Sequence, residues 1–160
     1  MAVKIYAVGG TIDKVYFDQK SEYQVGGPEI ADILKEANIT FEYDCESIMR
    51  KDSLDLTDAD RQHILETIQA DKNERILITH GTDTMVETAK KLESIQDKVI
   101  VLTGAISPAR FKTTDAPFNV GFAVAALQLL PPGVYIAMHG RIFDPHRVVK
   151  NRDLNRFEEV

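Results

Sequence analysis

Short apolar runs alternate with amphipathic stretches along the whole chain. Val3-Lys4-Ile5-Tyr6-Ala7-Val8, Arg75-Ile76-Leu77-Ile78-Thr79, Val99-Ile100-Val101-Leu102 and Val134-Tyr135-Ile136-Ala137-Met138 are largely aliphatic, and the first runs into Gly9-Gly10. Apolar runs of this length, bounded by turn residues, read as parallel strands buried on both faces. Between them, Thr57 and Asp60 have capping-box spacing ahead of Ile64, Leu65 and Ile68, whose helical spacing marks one buried face. Residues 84–92 and 119–130 predict two further helices, the second stopped by Pro131-Pro132-Gly133. Strands alternating with helices predict an α/β fold: a three-layer, Rossmann-like, mostly parallel sheet with helices on both faces, as one domain over residues 1–160. In such a sheet the carboxyl ends of the strands open onto a common crevice.

Two connections are long for a compact domain, Ile12 to Pro28 and Gly104 to Phe118. Structureless loops of such length are usually lids or disordered segments. Residues 13–27 mix Tyr16, Phe17 and Tyr23 with charges and end on Gly26-Gly27, a composition expected of a mobile flap with a flexible base.

A chain of 160 residues has the length of one domain and buries roughly 70% of the surface it exposes when unfolded, so neither a disulfide nor a metal is needed to hold it together. The single cysteine, Cys45, is expected to be a buried, inert thiol, which fits a reducing, cytoplasmic setting. The first apolar run is too short and too lightly charged for a secretory signal, and no run approaches membrane-spanning length. A formal net charge of −6 disfavours nonspecific attraction to nucleic acid. Arg141, His146, Arg147, Lys150, Arg152 and Arg156 make the last twenty residues locally basic, either to attract an anion or as a solvated tail.

Candidate chemistry lies at the strand ends. Gly9-Gly10 has neither a third glycine at fingerprint spacing nor a following Gly-Lys-Ser/Thr, so no nucleotide cofactor is expected, and Gly10 reads as room for the backbone beside a small substrate. Thr11 and Thr82-Asp83 each follow a strand, where a threonine either presents a nucleophilic hydroxyl or caps a turn. A threonine hydroxyl needs a base or relay, for which Asp83 and Lys150 are candidates; Lys150 is otherwise an ordinary solvated lysine. His80 is either an acid–base group or a packed, hydrogen-bonded histidine. Asp52-Ser53 either holds a substrate carboxylate or starts a turn. One cysteine with scattered His63, His139 and His146 predicts no metal site.

Gly9-Gly10-Thr11-Ile12, Asp52-Ser53, the block from His80 to Thr88, Gly104-Ala105-Ile106-Ser107-Pro108 and Asp115-Ala116-Pro117-Phe118-Asn119 together resemble, in order and over almost the whole chain, the bacterial-type L-asparaginase family. The resemblance implies hydrolysis of the side-chain amide of L-asparagine or a related small amide to a carboxylate and ammonia, without a cofactor. It implies Thr11 as nucleophile, Tyr23 as an assisting lid tyrosine, and Lys150 with Asp83 polarising Thr82. Ser53 and Asp83 would hold the α-carboxylate and α-amino groups, with Gly10, Asp52 and Thr82 also lining the substrate. Typical members continue into a C-terminal domain that lends side chains to a neighbouring subunit's site, whereas this sequence resembles the N-terminal domain alone. The expectation is therefore a homo-oligomer, dimer or tetramer, whose site is completed by self-association. Leu54 stands where many relatives carry a polar residue, often Gln. The alternatives are a noncatalytic module binding an amino acid or carboxylate, and an ammonia-supplying subunit of an amidotransferase.

Overall fold

The computed structural model describes residues 1–17, 19 and 22–160. In chain order the elements are β1 (Ala2–Gly9), β2 (Lys14–Phe17), β3 (Glu22–Val25), α1 (Ile30–Glu36), β4 (Glu42–Lys51), α2 (Asp58–Ala70), β5 (Arg75–Thr79), α3 (Met85–Leu92), β6 (Val99–Thr103), α4 (Ala116–Leu129), β7 (Gly133–Met138), β8 (Arg141–Phe143), β9 (Val148–Asn151) and β10 (Arg156–Glu159). The central sheet runs β4-β1-β5-β6-β7-β8, with β8 antiparallel to β7 and all other pairings parallel. The chain leaves β1 toward β4, then crosses back through α2 to β5 on the other side of β1. The strand order therefore reverses between β1 and β5, the place where open α/β sheets form their ligand crevice.

Alternation along each strand builds the two faces of the sheet. Ile76 and Ile78 of β5 pack with Ile64 and Ile68 of α2 and with Met85 and Leu92 of α3. Leu77 points the other way, into a core shared with Ile30 and Leu34 of α1 and Val120, Ala123 and Leu127 of α4. This is the predicted three-layer architecture. The start of α2 is the predicted capping box: Asp60 N–H donates to Thr57 Oγ1 at 3.1 Å and Thr57 N–H donates to the Asp60 carboxylate at 2.9 Å. No helix among the described residues is long and apolar enough to cross a membrane.

Several segments differ from expectation. β4 is an edge strand in which exposed Glu42, Asp44 and Glu46 alternate with half-buried Tyr43 and Cys45, so no continuous apolar run announces it. Lys4 of β1 reaches across to Asp44 at 2.6 Å and Glu46 at 2.9 Å. Cys45 is half-buried rather than buried; desolvation still pushes its thiol up to about 11, which leaves it unreactive at neutral pH. Much of the Ile12–Pro28 connection is an antiparallel ribbon, β2 on β3, with Tyr16 opposite Tyr23; positions 18, 20 and 21 of the expected flap lie outside the described residues.

The Gly104–Phe118 connection is organised by polar side chains. The Asp115 carboxylate accepts the N–H groups of Ile106 and Ser107, at 2.9 and 3.0 Å, and the Asn119 amide at 2.8 Å. Buried Asn119 also donates to Gly104 O at 3.0 Å and accepts His139 N–H at 3.3 Å. Asn119→Ala strands these partners and is expected to cost about 2–4 kcal/mol of stability, read as a lowered midpoint in urea unfolding; an unchanged midpoint would show that water replaces the amide.

The basic C-terminal stretch is folded rather than a loose tail, with Arg141, His146, Arg147, Arg152 and Arg156 exposed to solvent as expected of most of its cations and Lys150 drawn in. It folds as the β9–β10 hairpin, with Lys150 opposite Phe157. Val148 and Phe157 are buried, and the Phe157 ring lies 6.2 Å from Phe143 and 5.8 Å from His139. That apolar anchoring fixes where β9 passes the carboxyl end of the sheet.

Candidate active site

Three strand ends meet at the crevice: Gly9-Gly10-Thr11 after β1, Lys51-Asp52-Ser53 at the end of β4, and His80-Gly81-Thr82-Asp83 after β5. Their backbones touch. Gly10 has φ +86°, and a Cβ there would sit 2.3 Å from Gly81 Cα; one at Gly81 would sit 2.6 Å from Ser53 Cβ. Glycine is required at both positions because any side chain would push the three loops apart. Gly10 N–H also donates to Lys51 O at 2.9 Å, which closes the stack on the β4 side.

The second constellation is assembled from distant parts of the chain. Lys150, its side chain only 9% exposed, donates to Thr82 Oγ1 at 2.7 Å and to Asp83 Oδ1 at 2.8 Å. The ordinary solvated lysine considered from sequence is thereby excluded. Arg152, on the turn after β9, brings a second cation to Asp83, with Nε 3.6 Å from Oδ1. Thr82 is itself buried, so its hydroxyl is held by Lys150 rather than by water.

Thr11 opens a short 3₁₀ turn, Thr11–Asp13, and is half-buried. Among the described residues its hydroxyl has no hydrogen-bond partner, in contrast to that of Thr82. Ser53 is buried and engaged with the β5 loop: its Oγ accepts Thr84 N–H at 3.3 Å and its carbonyl accepts the Thr84 hydroxyl at 2.8 Å. Asp52 caps its own turn by accepting Leu54 N–H at 3.1 Å and pairs with Lys14 of the ribbon at 3.0 Å. Burial opposes the Asp52 charge, but these two partners outweigh it and hold the carboxyl below its ordinary range.

Tyr23 sits on the ribbon, half-exposed, its ring 5.4 Å from Tyr16 and edge-on to Phe111 at 5.7 Å. It shares a cavity of about 580 Å³ with Lys14, Arg50, Asp52 and Asp55. The ribbon thus leans on the Gly104–Phe118 connection through an aromatic contact.

His80 belongs to the core. It is fully buried, Nδ1 lies 2.6 Å from Gly81 O and Nε2 lies 2.8 Å from Thr88 Oγ1. Burial lowers its pKa to about 4, so the ring is neutral, with Nδ1–H donating to the carbonyl and Nε2 accepting from Thr88. Of the two readings open from sequence, packing holds.

Sequence reasoning passed over Asp13, Lys14, Phe111 and the pairing of Arg152 with Asp83. Asp13 is almost fully buried at the base of the ribbon: its carboxylate accepts Glu29 N–H at 2.9 Å, its carbonyl accepts Gly26 N–H at 2.7 Å and its own N–H donates to Gly10 O at 3.1 Å. One residue therefore ties the Thr11 turn, the end of the ribbon and the entry to α1. A charged residue two places after Thr11 carries no sequence pattern that distinguishes it from a solvated aspartate.

Residues 2–158 match the family described as asparaginase, N-terminal. L-asparaginase 2 of Escherichia coli K12 is 32% identical over 181 residues, covering 99% of this chain and 49% of that protein. A glutamyl-tRNA(Gln) amidotransferase subunit of Methanococcus vannielii is 42% identical over 88 residues, covering 51% of this chain and 21% of its own length. The thermostable L-asparaginase of Thermococcus kodakarensis superposes with a TM-score of 0.86 at 28% identity, covering 100% of this chain and 51% of its own. The chain spans about half the length of the asparaginases it matches. With residues 2–158 matched to that family and its fold superposing over its whole length, the chain belongs to the asparaginase family.

Proposed function

We propose that this chain carries the amide-hydrolysing machinery of an asparaginase-like amidohydrolase that acts on L-asparagine or a related small amide. The observation that supports it best is the Lys150–Thr82–Asp83 cluster, because a buried threonine hydroxyl in contact with an amine and a carboxylate is the company an activated hydroxyl needs. In this reading Thr11 Oγ attacks the amide carbon, giving a tetrahedral oxyanion held by backbone N–H donors, and the hydroxyl proton ends on the leaving nitrogen. Collapse of the oxyanion expels ammonia and leaves an ester on Thr11, and water hydrolyses the ester to the carboxylate. Lys150 and Asp83 polarise Thr82, which passes protons on the far side of the substrate, while Tyr23 closes over the nucleophile with the ribbon. Gly10, Asp52, Ser53 and Asp83 frame the substrate.

The open crevice gains water exclusion from a neighbouring subunit, so a homo-oligomer is part of the proposal, as is a cytoplasmic setting for a chain with one unreactive thiol. A second reading, in which ammonia is handed to another enzyme, rests on the 88-residue likeness to the amidotransferase subunit.

Ammonia release from L-asparagine, L-glutamine, their D-isomers and simple amides tests both. Release that disappears in Thr11→Ala and falls in Thr82→Ala is the expected result. Release that appears only with an acceptor partner selects the amidotransferase reading. Ligand binding without turnover, in folded protein, would replace hydrolysis by a noncatalytic amino-acid or carboxylate module.

A further inference from the structure

A small turn in the Gly104–Phe118 connection touches both the Thr11 segment and the ribbon. An isolated two-stranded ribbon is marginally stable at best, so the place of β2 and β3 is set by what they lean on. At the base, Gly26 N–H donates to Asp13 O at 2.7 Å, and Lys14 pairs with Asp52 at 3.0 Å, an ion pair weakened by solvent at its partly exposed side chains. Further along, Tyr23 lies edge-on to Phe111 at 5.7 Å, with Tyr16 on its other flank at 5.4 Å. Phe111 is not on a loose loop. Its N–H donates to Pro108 O at 3.0 Å, which closes a turn over residues 108–111. Within that turn Ala109 N–H donates to Ile12 O at 3.1 Å, next to Thr11, and Arg110 Nε donates to Glu29 Oε1 at 2.6 Å. Buried Glu29 in turn gives its N–H to the Asp13 carboxylate. The turn is thereby bonded to the segment that carries the nucleophile, and it presents an aromatic ring to the tyrosine. That ring is 42% exposed and belongs to neither apolar core, so its packing does little for the fold. Phe111 also falls between the two blocks, 104–108 and 115–119, that carry the family resemblance in this part of the chain.

We infer that Phe111 is a positioning residue: its ring fixes Tyr23, and with it the ribbon, relative to Thr11. The inference rests on the hydrolase reading and adds a residue to it. Phe111 does not touch the reacting amide in this scheme; it acts through Tyr23. A tyrosine held in place beforehand loses less freedom on reaching the transition state than one that must be ordered there. The contact therefore acts on kcat and leaves KM almost unchanged.

The test measures ammonia release, on the amide that the wild type turns over fastest, for Phe111→Ala, Phe111→Tyr, Tyr23→Ala and the double variant Phe111→Ala with Tyr23→Ala. Phe111→Ala is expected to lower kcat roughly threefold to tenfold, the factor that one aromatic pair supplies, with KM little changed. Phe111→Tyr keeps the ring and should keep the wild-type kcat. In the Tyr23→Ala background the loss from Phe111→Ala should vanish, because a residue that acts through another has nothing left to act on. Phe111→Ala as fast as the wild type, or losses of the two single variants that multiply in the double variant, would overturn the inference while leaving the hydrolase reading intact. If the wild type turns over no amide, the hydrolase reading fails and amide hydrogen exchange decides whether Phe111 places the ribbon. Exchange in β2 and β3 that quickens in Phe111→Ala, relative to β5 and β6, sustains that placement; unchanged exchange overturns it.

Discussion

Lys150→Met is expected to leave a folded protein whose ammonia release is slower by about 10²–10⁴-fold, the range associated with loss of a positioned proton-transfer group. Methionine keeps much of the apolar stem that lies beside Phe157 in the hairpin register but cannot contact Thr82 Oγ1 or Asp83 Oδ1 as the ammonium does. The effect on the fold is small by comparison. Asp83 is partly exposed and keeps Arg152 within ion-pair range, so its lost partner costs on the order of 1 kcal/mol. Lys150→Arg separates two roles. A guanidinium preserves the charge beside Asp83 but differs in shape and does not give up its proton, so activity that stays low means that Lys150 works through its own contact with Thr82 or by proton transfer rather than by charge alone. Activity restored by arginine would reduce its role to electrostatics. A methionine variant as active as the wild type would remove the Thr82 cluster from the mechanism.

The second large effect is on stability and its dependence on pH. Asp13 is buried, and desolvation is the main reason its carboxyl is raised from the ordinary 3.8 to about 7; the nearby Glu29 charge adds to this, while the Glu29 N–H and Arg50 oppose it. The sign follows directly. Between about pH 4 and pH 7 the folded protein keeps the Asp13 proton that the unfolded chain has released, so the fold binds more protons and its stability falls as pH rises through that window. The stabilisation is complete below the unfolded pKa and gone above the folded one. Asp13→Asn keeps a carbonyl oxygen to accept Glu29 N–H and cannot ionise. It is therefore expected to be close to the wild type at pH 4 and more stable than the wild type at pH 8, by about 2–4 kcal/mol, since each tenfold change in proton affinity is worth about 1.4 kcal/mol. Urea midpoints of the two proteins across pH 4–8 measure this. Parallel curves would mean that Asp13 is ionised in the fold throughout. Because Asp13 joins the Thr11 turn to the ribbon and to α1, the same substitution should flatten any change in ammonia release across pH 6–8 that arises from loosening at the base of the ribbon.

Much of the frame was legible locally. β5 and β6 are continuous runs of Ile, Leu and Val because helices cover both of their faces, and burial on both sides leaves no position for a polar residue until the strand ends. The start of α2 is a local hydrogen-bond pair three residues apart, which a sequence window contains in full. β4 was not legible in the same way. It is an edge strand whose outward positions carry Glu and Asp, and its place is set by pairing with β1, some 40 residues earlier in the chain. The 104–118 connection looked like a structureless loop for a related reason: its order comes from Asp115 and Asn119 side chains bonding to backbone groups, a pattern with no periodicity.

The sequence by itself determined which chemical groups stand at the strand ends. A strand followed by Gly-Gly-Thr, and another followed by His-Gly-Thr-Asp, are written in consecutive residues, and the alternation of strands with helices places both ends on one edge of a parallel sheet. Only the tertiary structure decided how those groups are paired. Lys150 meets Thr82 across 68 residues of chain, and it does so because Val148 and Phe157 anchor the last hairpin in the core beneath the crevice. The same docking brings Arg152 to Asp83, while the close approach of Gly10 to Gly81, and of Gly81 to Ser53, fixes the spacing of the three loops. Hydrogen bonds and ion pairs act over about 3 Å, so residue type alone nominates a partner and the packing of remote apolar side chains determines whether it arrives.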